Sequence, residues 1–362
     1  MELIELNNVI KKELRKDRAS NKSFKEHLKA MLDLYIKCLE ELSDVDITNE
    51  TIKDAIVQAN DSKKQLIEIF DLYLKGKITE SIKKMNFLLK RIKTPVEDSI
   101  SNISKDWFRA RVLDKNNRKY NWQEMFHVPF QLRNKVANYR FSISGYPCLY
   151  LGSSILACWE EMKTPGLDDF CISYCKLVTT ESIPVLNLTF PTDDREKLFG
   201  RKNYNYLLTV WPLIIACSIK TLNPDDPFKY EYVIPQVVML AIRNNSNIYG
   251  VAFSSTQMND SISEKEELHY NLAIPTRQIK DNGYCKKLAA IFKLTRGVPF
   301  FEAEIKNVFT SYCQQQMSVE NERLVINTIG DNCNPYNTSK FRQLENYLKQ
   351  MVAEEEHYTI PQ

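Results

Sequence analysis

Glycine is scarce in this chain, with 9 in 362 residues, and that scarcity excludes whole classes of nucleotide site. Neither a P-loop nor the G-x-G-x-x-G turn of dinucleotide-binding folds is present, because both place glycines where backbone must approach phosphate. H-E-x-x-H and G-x-S-x-G are absent as well, which leaves zinc-hydrolase and serine-hydrolase chemistry without a motif. Charge of one sign is also lacking. Lys plus Arg total 49 against 46 for Asp plus Glu, the small positive excess lies in the first 95 residues, and no nucleic-acid partner is implied. The longest apolar run, 207–219, contains Thr209 and Pro212. It is too short to cross a bilayer and predicts a buried helix. The opening Met1-Glu2-Leu3-Ile4-Glu5 has neither the basic nor the apolar region of a signal peptide. A cytoplasmic protein without membrane association is expected.

Cysteines number 9, an odd count, and they are scattered through apolar runs such as Ile215-Ala216-Cys217. Reduced, buried thiols are expected. Cys171 and Cys175 have no neighbouring His or second Cys pair, so no zinc site and no other metal is anticipated. A hydrophobic fraction of 43% with 26% charged residues is ordinary for a globular chain. The length predicts two domains.

The first 95 residues read as helices. Ser23 followed by Glu26 forms a capping box, and Phe24, Leu28, Met31, Leu32, Tyr35, Ile36 and Leu39 recur at helical spacing. Further helices are predicted at 2–16, from Thr48 to a stop at Gly76, and from Thr79 to Ile92, with Thr94-Pro95 closing the bundle. Residues 96–105 read as a linker. From Trp107 onward short strands and helices mix without the strict alternation of a doubly wound sheet, so the fold class is α+β. Strands are predicted near 107–113, 149–151, 170–177, 184–188, 249–253, 272–274 and 289–294, and helices at 204–221 and 230–244. The tail, 326–362, reads as an extension with one amphipathic helix carrying Phe341, Leu344, Tyr347, Leu348 and Met351.

Candidate site residues cluster first on the strand around Arg109 and Arg111. Two guanidinium forks on one strand face beside Trp107 and Phe108 suit a pyrophosphate; the alternative is an exposed, solvated face. The stretch 139–162 follows, with a Gly145 and Pro147 turn, a strand through Tyr150, a break at Gly152-Ser153-Ser154 and a helix carrying Glu160 and Glu161. Arg140 either holds a phosphate or braces the turn. His127, set among aromatics, is expected to be packed in place. Gln236 opens the helix ahead of the 249–253 strand and could reach a site, and Ser254 and Ser255 close that strand.

The stretch 139–162 resembles the core of the RES domain, whose pattern runs Arg-Trp-Asn, Gly-x-Pro, a strand ending in Tyr, and a short helix with a Glu. Arg140-Phe141-Ser142, Gly145, Pro147, Tyr150 and Glu161 fall on those positions without a gap. Phe108-Arg109 matches the family's first Arg and Phe253-Ser254-Ser255 its late Ser. The resemblance covers roughly 105–295, with two departures: Phe141-Ser142 replaces Trp-Asn, and the insertion between Glu161 and Ser255 is long.

The resemblance implies an N-terminal helical, HEPN-like domain over 1–95 and an ADP-ribosyltransferase-like mixed sheet over 106–325. It implies an NAD-consuming toxin, acting in a toxin-antitoxin or phage-defence setting, that cleaves the nicotinamide-ribose bond. NAD would be substrate, with no cofactor. Arg109 would anchor the pyrophosphate, with Arg111 as second choice. Tyr150 would contact the nicotinamide ribose, Glu161 would stabilise the oxocarbenium ion, and Ser255 would orient Glu161 or substrate; Glu160 would then face water. A protein antitoxin or regulator acting through 1–95 is implied, and a homo-oligomer is left open. HEPN ribonucleases need an Arg with a His four to six residues later, and Arg18 and His27 are too far apart for that, so no RNase activity is expected. Two alternatives stand: transfer of ADP-ribose to protein or phosphate, and a non-catalytic interaction protein with a degenerate RES half.

Overall fold

The structure is a computed structural model that describes residues 1–92, 99–114, 119–179, 181–193, 204–244, 247–257, 269–278, 280–306, 308, 336 and 339–354. Thr94-Pro95, Cys313, Cys333 and most of the loop before the last helix lie outside these residues. In chain order the elements are α1 (Leu3–Arg15), α2 (Phe24–Glu40), α3 (Asn49–Leu74), α4 (Ile78–Ile92), α5 (Ile100–Ile103), β1 (Phe108–Val112), β2 (Cys148–Gly152), α6 (Ile155–Glu161), β3 (Phe170–Leu177) and β4 (Leu186–Leu188). They continue with α7 (Tyr204–Ser218), α8 (Val233–Arg243), β5 (Val251–Ser254), β6 (Tyr270–Pro275), α9 (Lys286–Ala289), β7 (Phe292–Leu294), β8 (Val298–Pro299), α10 (Phe300–Ile305) and α11 (Lys340–Glu354). The fold is α+β, with helices first and both parallel and antiparallel strand pairs after them. No helix among the described residues is long and apolar enough to cross a membrane.

Packing divides the chain into two compact units, and the division does not follow sequence order. One unit takes Met1–Asp98, Ala137–Ser144 and Pro184–Thr256; the other takes Ser99–Val136, Gly145–Ile183 and Gln257–Gln362. Where the sequence predicts a bundle closed by residue 95, residues 184–256 join it. The physical reason is α7, which is buried from Leu207 to Ser218 apart from Thr209 and so needs cover on every side. It receives that cover from α2, α3 and α4, with α8 packed on α3 and α4. The parallel pair β4 and β5 completes this unit.

Local signals in the helical unit are those read from the sequence. Ser23 and Glu26 form the capping box of α2, and all seven apolar residues of its stripe are buried. Thr48 caps α3 by accepting the Thr51 amide, and Gly76 follows the helix at φ 74°, where a side chain would be strained. Pro212 sits inside α7, and having no N–H it leaves the Leu208 carbonyl without its helical donor. The Tyr35 hydroxyl donates to that carbonyl at 2.7 Å, so a residue of α2 closes the gap that the proline opens.

The second unit is built on five antiparallel strands in the order β6-β2-β1-β3-β7, with β8 added against β3. Phe108, Phe170, Ile172 and Tyr174 share one face of β1 and β3, and α6 and α11 pack there in a continuous apolar core. Phe341, Leu344 and Leu348 of α11 are fully buried, so the helix read as part of a C-terminal extension is a structural wall of this unit. Residues 99–104, read as linker, instead contain the one-turn α5, with Ile100 buried and its amide bonded to the Ile183 carbonyl. The strand predicted at 289–294 is confined to β7 because α9 occupies 286–289.

Candidate active site

The site is built around the passage from β2 into α6. Gly152 ends β2 opposite Asn271, and Tyr150 lies opposite Ala273, so the pleat puts Tyr150 and Asn271 on one face of the sheet. Gly152 is required there by contact. A Cβ on it would stand 2.8 Å from Cys158 Sγ and 3.2 Å from both the Cys158 nitrogen and the Ser154 oxygen. Ser153 exchanges hydrogen bonds with Tyr270, its amide donating to the Tyr270 carbonyl and its Oγ accepting the Tyr270 amide. Ser154 caps α6 by accepting the Ala157 amide at 2.9 Å. The Ile155 amide donates to Glu345 Oε1 at 2.9 Å. That Glu345 carboxyl also accepts the Tyr336 hydroxyl, and burial raises its pKa.

Helix α6 is 7 residues long, too short to be stable without tertiary support. Its last two residues are the two glutamates, and successive helix positions point about 100° apart. Glu160 turns inward. It is 3% exposed, and its Oε2 accepts a hydrogen bond from His269 Nδ1 at 2.7 Å. This corrects the expectation that Glu160 faces water: α6 lies against the sheet with that side down, and His269 at the approach to β6 meets it. Glu161 is exposed, and Asn271 Nδ2 donates to its Oε1 at 2.9 Å. His269 and Asn271 were not picked out from the sequence. The one signal available was a polar His-Tyr-Asn leading into the apolar 272–274 strand.

The chain leaves α6 through Lys163 at φ 62° and Thr164 at φ 49°. Two consecutive non-glycine residues in the left-handed region cost roughly 1–2 kcal/mol each. The turn is held by the Lys163 amide on the Glu160 carbonyl, the Thr164 amide on the Trp159 carbonyl, and Trp159 Nε1 on the Pro165 carbonyl.

Arg109 and Arg111 alternate with Phe108 and Ala110 along β1, so their side chains leave the sheet on the face opposite to Tyr150, Asn271 and α6. The β1–β2 ladder consists of the single pair Phe108 and Gly152. Beyond it Arg109 donates across to the Tyr150 carbonyl at 2.8 Å. Arg111 donates to the Phe126 carbonyl, and burial together with the neighbouring Arg109 lowers its pKa to about 10. Both guanidinium groups are half-buried rather than on an open solvated face. His127 is packed in place, as expected. It is fully buried among Phe126, Phe130 and Tyr284, its Nε2 accepts the Cys285 amide, and Nδ1 lies 2.8 Å from the Val128 carbonyl. Burial lowers its pKa to about 4.

The remaining candidates belong to the helical unit. Of the two roles left open for Arg140, the structure shows the brace. Its guanidinium donates to the Cys217 and Ile219 carbonyls at 3.0 Å each and to Thr256 Oγ1 at 3.2 Å, and it lies over the Tyr232 ring. Gln236 donates to the Tyr139 and Ser142 carbonyls, so its amide holds the turn at 139–142. Ser254 Oγ accepts the Phe190 amide at 2.8 Å, and Ser255 beside it is buried. Seven cysteines in the described residues are buried and free, and burial raises the pKa of Cys158 and Cys171 to about 12. No cluster among the described residues could hold a metal ion.

No family model matches the chain, and no solved structure matches it. The chain is similar to a protein of Bacillus subtilis (strain 168) named "Putative toxin YopC", being 33% identical over 286 residues, which are 73% of this chain and 64% of that protein. The chain thus spans just under two thirds of that relative's length.

Proposed function

We propose that this protein is a toxin-like enzyme that cleaves the nicotinamide-ribose bond of NAD. The observation that carries the reading is Glu161, an exposed carboxylate at the end of a short helix, fixed by the Asn271 amide on the sheet face that also bears Tyr150. Breaking the bond sends its electron pair to the nicotinamide nitrogen and leaves positive charge spread over C1′ and the ring oxygen of the ribose. A carboxylate held beside that charge stabilises the transition state more than the ground state, because a preoriented group need not reorganise as charge develops. Water then adds at C1′ and gives up a proton, yielding ADP-ribose.

Tyr150 offers a flat ring and a polar tip, which suits the nicotinamide and its ribose. Arg109, whose side chain starts on the other face of the sheet and reaches the Tyr150 carbonyl where β1 and β2 part, is the group we assign to the pyrophosphate, since a guanidinium binds phosphate oxygens in pairs. The toxin setting draws its support from the similarity to the Bacillus subtilis protein and from the RES-like motif order. Ser255 lies in the other unit, and the reading does not depend on it.

The test is incubation of the purified chain with NAD, with nicotinamide and ADP-ribose followed by chromatography beside Glu161→Gln. The expected result is equal release of the two products, reduced by at least about 100-fold in the variant. Nicotinamide release with ADP-ribose bound to protein would move the reading to transfer. No release from the folded chain would overturn it.

A further inference from the structure

We infer that Glu160 and His269 are positioning residues for Glu161, a role that rests on the reaction proposed above. The two residues are 109 apart in sequence and meet at 2.7 Å, with both side chains at 2% exposure or less. A carboxylate and an imidazole taken wholly out of water are a poor device for stability, since desolvation opposes their attraction and apolar residues of similar size serve a core at least as well. The pair is also incompletely satisfied: His269 Nε2 is buried and has no hydrogen-bond partner among the described residues. A core arranged for stability alone gives no reason for this arrangement.

Its place in the fold supplies a reason. Glu160 and Glu161 are adjacent, and their partners His269 and Asn271 are two apart at the start of β6, so the last turn of α6 is gripped at two successive points by one strand. The opposite end of α6 is held separately by Ser154 and Glu345. One residue past the glutamates, after Met162, the backbone enters two left-handed residues, a strained exit that the last turn must withstand. Glu160 turned inward onto His269 fixes the rotation of that turn, and the rotation decides where the Glu161 carboxylate points. Small errors in such placement are costly, because a displacement of about 1 Å can lower a rate about 100-fold.

The experiment measures kcat and KM for NAD cleavage in wild type, the double variant Glu160→Met/His269→Leu, the single variant His269→Asn, and Glu161→Gln. The double variant fills the space with apolar atoms and is expected to keep or raise the melting temperature. Its kcat is expected to fall about 10- to 100-fold with KM within about twofold of wild type. A purely structural pair would not give that split. His269→Asn, whose amide nitrogen can stand where Nδ1 stands, is expected to recover most of kcat and also decides the question if the double variant fails to fold. Adding the double variant to Glu161→Gln is expected to slow the reaction no further, since the pair acts through Glu161. An active wild type with full kcat in the folded double variant overturns the positioning role alone, as does a His269→Asn chain that folds with its kcat down by about 10-fold or more. A wild type that releases no nicotinamide overturns the proposed reaction, and this role with it.

Discussion

Acid should weaken the sheet-bearing unit through one histidine. His127 is fully buried, and its Nε2 accepts the Cys285 amide, an arrangement open only to the neutral ring. Burial, with the Arg109 and Arg111 charges adding to it, lowers the pKa from 6.5 to about 4, and a proton on Nε2 would also face an N–H donor. Above pH 6.5 the ring is neutral in folded and unfolded chains alike, and the full stabilisation is present. Between 6.5 and 4 the unfolded chain binds a proton that the native protein refuses, so stability falls by about 1.4 kcal/mol for each pH unit. Below 4 both forms are protonated and the loss levels off at about 3 kcal/mol.

The assay is urea unfolding at a series of pH values from 7.5 to 3.5, followed by tryptophan fluorescence. Trp107, Trp122 and Trp159 lie in the unit that contains His127, and only Trp211 lies in the other. The comparison is with His127→Gln, whose side-chain oxygen can accept the Cys285 amide but does not titrate in this range. All other titrations are common to the two proteins. The difference between their stabilities should therefore drift toward the variant by about 3 kcal/mol as pH falls from 6.5 to 4. Parallel curves would refute the reasoning.

Three further substitutions test the packing. Gly152→Ala should cost about 1–3 kcal/mol, because its Cβ meets Cys158 Sγ at 2.8 Å and two backbone atoms at 3.2 Å; thermal melts should show Cys158→Ala restoring only the part that is due to sulfur. Tyr35→Phe should cost about 1–3 kcal/mol by leaving the buried Leu208 carbonyl unbonded. Adding Pro212→Ala to it should restore the lost donor and most of the melting temperature. Arg140→Lys should destabilise the helical unit by about 2–4 kcal/mol, since one ammonium cannot serve the Cys217, Ile219 and Thr256 oxygens together. If Arg140 braces rather than binds phosphate, KM for NAD in the folded fraction should stay unchanged, and a raised KM would return it to the site.

What was legible in the sequence was local, and what was not depended on distant partners. The capping box at Ser23, the stop at Gly76, the break at Gly152-Ser153-Ser154 and the apolar stripes of α2 and α11 were readable because each is completed within a few residues. Arg140 could not be decided because its acceptors come from 77 to 116 positions later, and nothing near it in the chain announces carbonyls in need of a donor. The two glutamates present the same difficulty in its smallest form. They differ by one residue, hence by about 100° around a helix, so one of them had to turn toward the sheet, and only the position of β6 determines which. His269 takes Glu160 at 2.7 Å and Asn271 takes one oxygen of Glu161, so the two glutamates differ in burial. A carboxylate committed to a buried imidazole is closed to a ligand, whereas an exposed one steadied by a neutral amide stays open to it. The choice of Glu161 from its offset to Tyr150 and the choice from burial share no premise, which is why comparing Glu160 and Glu161 variants tests both together.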